Sequence, residues 1–335
     1  MTVLVTGAAG FLGRHVLQKL LADGQSVRAL VRTAEQGEPL RKLGASVALG
    51  DIRDRTAVEA ATSGAEVVYH CAAAVGAHYS AEEVYAINLG GARNVLDALR
   101  QANRGRLVLV SSVNVLGIRN YEKANEDLPC RRESESHADV KIDAEQAALD
   151  YHRQYGVDVV IVRPALIYGP GEKNIPKLVD TIRRGKFAFI GSRENVIPMV
   201  HVTDIVAALQ LAASVQAASG RIYHITDGAR TTAGMFIDYL AELIHCPTPQ
   251  KVLPYFIPYA ACLAFEWLNR LHLVHKAGPI NRIGLRFLGT SRDVDISRAV
   301  RELHYQPKIA FRAGMAETVR SIEQQSGSSS HDQAR

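Results

Sequence analysis

The chain has 335 residues, 47% hydrophobic and 22% charged, with a formal net charge of +5. It can bury a large core, and its composition excludes disordered, collagen-like and disulfide-scaffold classes. The densest basic clusters, Arg131-Arg132 and Arg183-Arg184-Gly185-Lys186, are not interleaved with aromatics, so no nucleic-acid partner is expected.

Val3-Leu4-Val5 lacks charge and alternation, as a strand buried on both faces should. It runs into Thr6-Gly7-Ala8-Ala9-Gly10-Phe11-Leu12-Gly13 and then an amphipathic helix near 11–23. Gly7 permits the tight strand-to-helix turn, Gly10 lets backbone approach a pyrophosphate, and Gly13 lets the helix lie close on the sheet. The helix N-terminus supplies unpaired N–H groups for an anion. Strand, glycine triplet and helix in this order predict a dinucleotide site.

Further strands are expected at Ser26–Val31, Ser46–Gly50, Val67–His70, Leu107–Ser111 and Asp158–Arg163, with helices near 54–62, 81–102 and 136–155. The alternation predicts an α/β fold: a Rossmann-type doubly wound parallel sheet with a smaller C-terminal substrate-binding lobe. The second strand ends Leu30-Val31-Arg32-Thr33, with no acid before Glu35. An arginine there accommodates a 2′-phosphate, so NADP(H) is favoured, with NAD(H) as the alternative and Arg32 as the discriminating residue. Asp51 and Ile52, following Gly50, stand where an adenine ring would lie.

After Pro164 the rhythm breaks at Tyr168-Gly169-Pro170-Gly171. Residues 1–165 and about 200–226 are assigned to the dinucleotide-binding domain, 166–199 and 227–322 to the second lobe. The tail 323–335 has no apolar period and is expected to be disordered. Val252–Phe265 carries no charge but is too short to span a bilayer. It reads as a buried or lid helix, or as a peripheral membrane contact extending through 252–274. Cys71, Cys130, Cys246 and Cys262 show no metal-ligand spacing. No metal is expected, and no signal-type segment opens the sequence, so a cytoplasmic protein with reduced thiols is expected, with membrane association as the variant reading.

Gly7, Gly10 and Gly13, Gly50-Asp51-Ile52, Asn88, Ser111-Ser112, Lys141, Arg163-Pro164 and Tyr168-Gly169-Pro170-Gly171 occur in one order along the chain. In these residues it resembles the extended short-chain dehydrogenase/reductases. The end, Asp293-Val294-Asp295-Ile296-Ser297-Arg298-Ala299 and Glu302-Leu303-His304-Tyr305-Gln306-Pro307, is most similar to the 3β-hydroxysteroid dehydrogenase and dihydroflavonol reductase-like branch. The resemblance implies a serine that polarises the carbonyl, a tyrosine that moves the proton, and a lysine that holds the nicotinamide ribose. Ser112 and Lys141 fill two of these places, and the tyrosine place holds His137. The i, i+4 spacing of His137 and Lys141 puts both on one helix face. The resemblance also implies cofactor contacts from Phe11, Leu12, Cys71, Ala72, Ala73, Asn88, Ser111, Lys141, Pro164, Ala165 and Ile167, and a homodimer.

The expected function is an NAD(P)H-dependent reductase or dehydrogenase acting on a ketone or alcohol carbon of a hydrophobic, cyclic substrate. His137 is read as proton donor, as a substrate-orienting group, or as the relic of a weakened site. The rival functions are a nucleotide-sugar epimerase/dehydratase, a non-redox isomerase or cyclase, and a cofactor-sensing binding protein. A sugar nucleotide would need cationic clamps, for which Arg183, Arg193, Arg230 and Arg292 are available.

Overall fold

The computed structural model describes residues 2–76, 79–133, 136–270 and 282–332. The chain opens with β1 (Thr2–Thr6), α1 (Phe11–Ala22), β2 (Ser26–Val31), α2 (Ala34–Lys42), β3 (Ser46–Leu49), α3 (Arg55–Thr62) and β4 (Val67–His70). A longer helical stretch follows: α4 (Ala81–Tyr85), a π-helical turn (Ala86–Gly90) and α5 (Gly91–Ala102). Next come β5 (Arg106–Val110), β6 (Tyr121–Ala124), α6 (Ser136–Tyr155), β7 (Asp158–Pro164), β8 (Leu166–Tyr168), α7 (Ile175–Arg183), β9 (Phe189–Ile190), β10 (Met199–His201), α8 (Val202–Ser214) and β11 (Ile222–Ile225).

Seven of these strands form one parallel sheet in the order β3-β2-β1-β4-β5-β7-β11. The order reverses between β1 and β4, which opens a crevice at their carboxyl ends. Alternate residues of each strand serve opposite faces. Val3, Val5, Val108 and Val160 pack with Val16, Leu17 and Leu20 of α1 and Ile205 and Leu209 of α8. Leu4, Leu107, Leu109 and Ile161 pack with Val58 of α3, Leu96 and Leu99 of α5 and Ala148 of α6. Both faces are therefore dry, which is why the strands read as continuous apolar runs.

The predicted strands and helices of this half are present, with α2 added. That helix buries only Gly37 and Leu40 and contains Pro39, so it has no apolar period to read. Thr33 starts it, its hydroxyl accepting from the Gln36 amide at 3.4 Å.

The remaining elements are α9 (Ala233–Leu243), β12 (Val252–Leu253), α10 (Phe256–Arg270), α11 (Arg282–Gly289), β13 (Arg292–Val294), α12 (Ser297–Leu303) and α13 (Phe311–Asp332). Ile182, Phe189, Phe236, Leu240, Met315 and Val319 make a separate core for the second lobe. Two expectations need correction. Helix α12 and Tyr305 pack with the main sheet: Ala299, Leu303 and Tyr305 join the α1–α8 core, and Glu302 accepts from the Tyr223 hydroxyl at 2.9 Å. The tail is helical as far as Asp332, continuing α13 from the turns in which Met315 and Val319 are buried.

Helix α10 is not a buried helix along its length. Phe256 and Trp267 are 69% and 63% exposed, and Ile257 and Leu263 are also exposed, while Cys262 is buried. Residues 271–274 of the expected contact segment lie outside the described residues. Among the described residues no helix is long and apolar enough to cross a membrane.

A buried ion pair ties β7 to α6. Arg163 Nε and Nη2 donate to the two carboxylate oxygens of Glu145 at 2.9 and 2.6 Å, with both residues almost fully buried. Glu145→Ala leaves the guanidinium without its counter-charge and is expected to cost about 3–5 kcal/mol, measured by urea unfolding at neutral pH.

Candidate active site

The carboxyl ends of β1, β2 and β4 border a cavity of about 450 Å³. Its floor is the turn after β1, with Gly7, Gly10 and Phe11 on the lining. Gly7 has φ +68°, and a Cβ there would stand 2.6 Å from the Ala72 amide nitrogen. A Cβ on Gly13 would lie 2.3 Å from the Gly7 carbonyl oxygen. Only glycine allows α1 to start this close to the strand. No side chain caps α1, so its first amides are left for an anion.

Arg32 and Gln36 line the next wall, and the Gln36 side chain accepts from the Arg32 amide at 3.1 Å. Asp51 and Ile52 line the adenine end, but the Asp51 carboxylate is gripped by Arg53 through Nε and Nη2, both at 2.9 Å. That hydrogen bonding holds Asp51 below the ordinary carboxylate range. Cys71, Ala72 and Ala73 form the third wall, with Tyr79 and Lys173 completing the rim. A second cavity of about 500 Å³ lies among Glu66, Arg104, Arg106 and Asp158, at the opposite edge of the sheet. Doubly wound sheets bind ligands at the strands' carboxyl ends, which favours the first.

The glycine cradle, the uncapped helix start and the apolar and polar walls together fit a nicotinamide dinucleotide. Gly7, Gly10 and the first amides of α1 would hold the pyrophosphate, with Asp51 and Ile52 beside the adenine and Arg32 beside its ribose.

Several residues expected at the coenzyme have partners within the chain. Leu12 packs with the α1–α8 core. Asn88, in the π-helical turn, accepts from the Ala74 amide at 2.7 Å and donates to the Ala74 carbonyl at 3.3 Å. It therefore fixes the cavity's third wall from behind. The Ser111 hydroxyl bonds to Glu145. Pro164, Ala165 and Ile167 do not border the cavity; Ala165 is buried beside β11, its amide donating to Ile225 at 3.0 Å. Glu145, Lys173, Gln36 and Tyr79 were not singled out from the sequence. Glu145 was findable, being four residues beyond Lys141 on the same helix face.

Two of the three candidate catalytic residues, Ser112 and Lys141, stand at the end of β5. Ser112 follows β5 and is half-buried, its hydroxyl accepting from the Asn114 amide at 3.2 Å. Lys141 Nζ donates to the Val110 carbonyl at 2.8 Å. Burial pushes the Lys141 ammonium down to about 8, against partial support from Cys71 and Glu145. The same burial pushes the Cys71 thiol up to about 12 and keeps His70 neutral, down to about 3. Residue 137 belongs to α6, one turn before Lys141; its side chain lies outside the described residues.

Lys141 gives a pH signature. Between pH 8 and its ordinary value of 10.5 the unfolded chain binds the extra proton, so stability rises with pH across that window. Below pH 8 the whole cost of the buried cation is present. Urea unfolding at about pH 7.5 and pH 10 is expected to show this rise in the wild type and not in Lys141→Met.

Residues 3–226 match the model of the NAD dependent epimerase/dehydratase family. A 4-hydroxy-2-methyl-3-oxo-4-farnesyl-3,4-dihydroquinoline-1-oxide ketoreductase of Stigmatella aurantiaca is 31% identical over 318 residues, covering 94% of this chain and 95% of the relative. A 2-alkyl-3-oxoalkanoate reductase of Shewanella oneidensis is 26% identical, with 93% and 84% covered. Among solved structures, a dTDP-glucose 4,6-dehydratase double mutant of Streptomyces venezuelae, with NAD and DAU bound, superposes with TM-score 0.78 at 26% identity and 98% coverage of both chains. The chain belongs to the NAD dependent epimerase/dehydratase family and is an NAD(P)-dependent oxidoreductase of the extended short-chain dehydrogenase/reductase type.

Proposed function

We propose that the enzyme is an NADPH-dependent ketoreductase that interconverts a ketone and a secondary alcohol on a hydrophobic, cyclic substrate. The observation that carries this reading is Ser112 just after β5 and Lys141 bonded to the last carbonyl of that strand, close enough to act on Cys71, which lines the glycine-cradled cavity. The bound nicotinamide coenzyme supplies or accepts the hydride. Ser112 donates its hydroxyl hydrogen to the substrate oxygen and so polarises the carbonyl. His137 delivers the proton that the oxygen needs as it becomes a hydroxyl. Lys141 holds the nicotinamide ribose, and its charge stays anchored by the Val110 carbonyl.

Support for a hydrophobic substrate comes from the two reductase relatives, one named for a farnesylated quinoline and one for alkyl oxoalkanoates. A nucleotide-sugar substrate finds few free clamps for its diphosphate. Arg193 pairs with Asp238 at 2.6 Å, Arg230 with Asp293 at 3.6 Å, and Arg183 with Glu323 at 3.8 Å.

NADPH is preferred because the end of β2 presents the exposed Arg32 and the neutral Gln36 to the cavity in place of a carboxylate. Fluorescence titration is expected to show Arg32→Ala losing about tenfold in NADPH affinity, the scale of one charge-assisted hydrogen bond, with NADH binding little changed. An unchanged ratio removes Arg32 from cofactor choice.

His137→Ala is expected to lower kcat by about 100-fold or more, the scale of a lost general acid. His137→Tyr is expected to restore turnover on simple ketones. Deuterium from stereospecifically labelled NADPH should appear on the product carbinol carbon. Full activity in His137→Ala, or no label in the product, would overturn the corresponding step.

A further inference from the structure

Helix α10 is apolar on two sides and covered on one. Tyr255, just before it, packs with Tyr259 and Cys262 against Ile190, Leu285 and Leu288, and the two tyrosine rings stack with centroids 5.8 Å apart. That face holds the helix on the second lobe. Phe256, Ala260, Leu263, Ala264 and Trp267, spaced i, i+4, i+7, i+8 and i+11, form a second stripe, and every one of them is exposed. Ile257 and Val252 extend it, at 47% and 41% exposure. No residue from Val252 to Phe265 is charged. Scattered apolar side chains on a surface are ordinary, whereas a continuous uncharged stripe along a helix marks a contact.

The chemistry of the stripe and of the sequence around it selects the occupant. The stripe offers no hydrogen-bonding side chain except the Trp267 indole, while protein interfaces carry about one hydrogen bond per 100–200 Å² and a polar rim. From Lys251 to Arg282 the sequence has four fixed cations, Lys251, Arg270, Lys276 and Arg282, against one acid, Glu266. Lys251 is exposed immediately before Val252. A two-fold contact between copies would bring this excess of positive charge against itself, and repulsion would oppose it. An apolar stripe beside like-signed cations matches the boundary between acyl chains and anionic headgroups, with tryptophan suited to the headgroup level. At 15 residues α10 is about 22 Å long, and it is not long and apolar enough to cross a bilayer, so it suits the plane of the surface.

We infer that the Phe256–Trp267 stripe of α10 docks the protein on an anionic lipid surface, with the helix lying among the headgroups and Phe256, Leu263 and Trp267 turned toward the acyl chains. The coenzyme cavity is lined by other elements, so the docking surface stands or falls separately from the reductase reading.

Trp267 is the chain's one tryptophan, so its fluorescence reports on this face alone. The full-length protein is titrated with vesicles of phosphatidylcholine and phosphatidylglycerol, and with vesicles of phosphatidylcholine alone. Emission is expected to move to shorter wavelength on the anionic vesicles, with about 10- to 30-fold tighter partitioning than on neutral ones, the scale of two basic residues at a charged surface. Phe256→Asp combined with Leu263→Asp is expected to lower partitioning by about 100-fold or more, because two apolar side chains are no longer withdrawn from water. An unaltered urea midpoint certifies the fold of that variant. If it does not fold, the wild type decides: lipids brominated along the acyl chain should quench Trp267, and absence of quenching overturns the inference. Unchanged emission on anionic vesicles overturns it, as does equal partitioning on the two vesicle types. Undiminished partitioning in the double variant puts the contact on another face and overturns it as well. A dimer in solution that the double variant dissociates assigns the stripe to a second copy, which is also a refutation.

Discussion

The geometry of the coenzyme-facing edge depends on one close approach, that of Gly13 to the Gly7 carbonyl. A side chain at Gly13 would overlap that oxygen, so α1 lies on the sheet only because none is there. The approach aims the free amides of α1 into the crevice between β1 and β4. The rest of the site is arranged around that point. Asn88 pins the wall at Ala74, and the bend after β2 brings Arg32 and Gln36 to the opposite side.

The interior charges show how differently a fold can treat the same problem. Arg163 is paired by Glu145, which also takes the Ser111 hydroxyl, and the trio fixes the end of β5 just before Ser112. Lys141 is repaid only in part, by one carbonyl and the distant pull of Glu145, and its ammonium is weakened accordingly. Arg292 is repaid least, by an amide oxygen and an aromatic face.

The second lobe is less regular than the sheet domain. Its core of Ile182, Phe236, Leu240 and Met315 is small, and it leaves α10 with Phe256 and Trp267 in solvent.

The sheet strands and the glycine turn were legible in the residues, because each rests on a local rule, apolar runs or steric limits at a turn, whereas Ser112 and Lys141 were singled out by the family resemblance. Helix α2 was hidden since its contacts are few and polar, and α12 was assigned to the wrong lobe since nothing local tells which neighbour a short amphipathic helix will meet. Ser111 and Asn88 stand where the resemblance puts them, yet their side chains answer to Glu145 and Ala74. Sequence by itself determined the fold class and the chemistry on offer, through patterns that depend on residues close in the chain. Only the tertiary structure decided which polar groups are already spent on one another. Partners such as Arg163 and Glu145, or Arg292 and Asn114, are brought together by packing across separate elements, and no spacing encodes that.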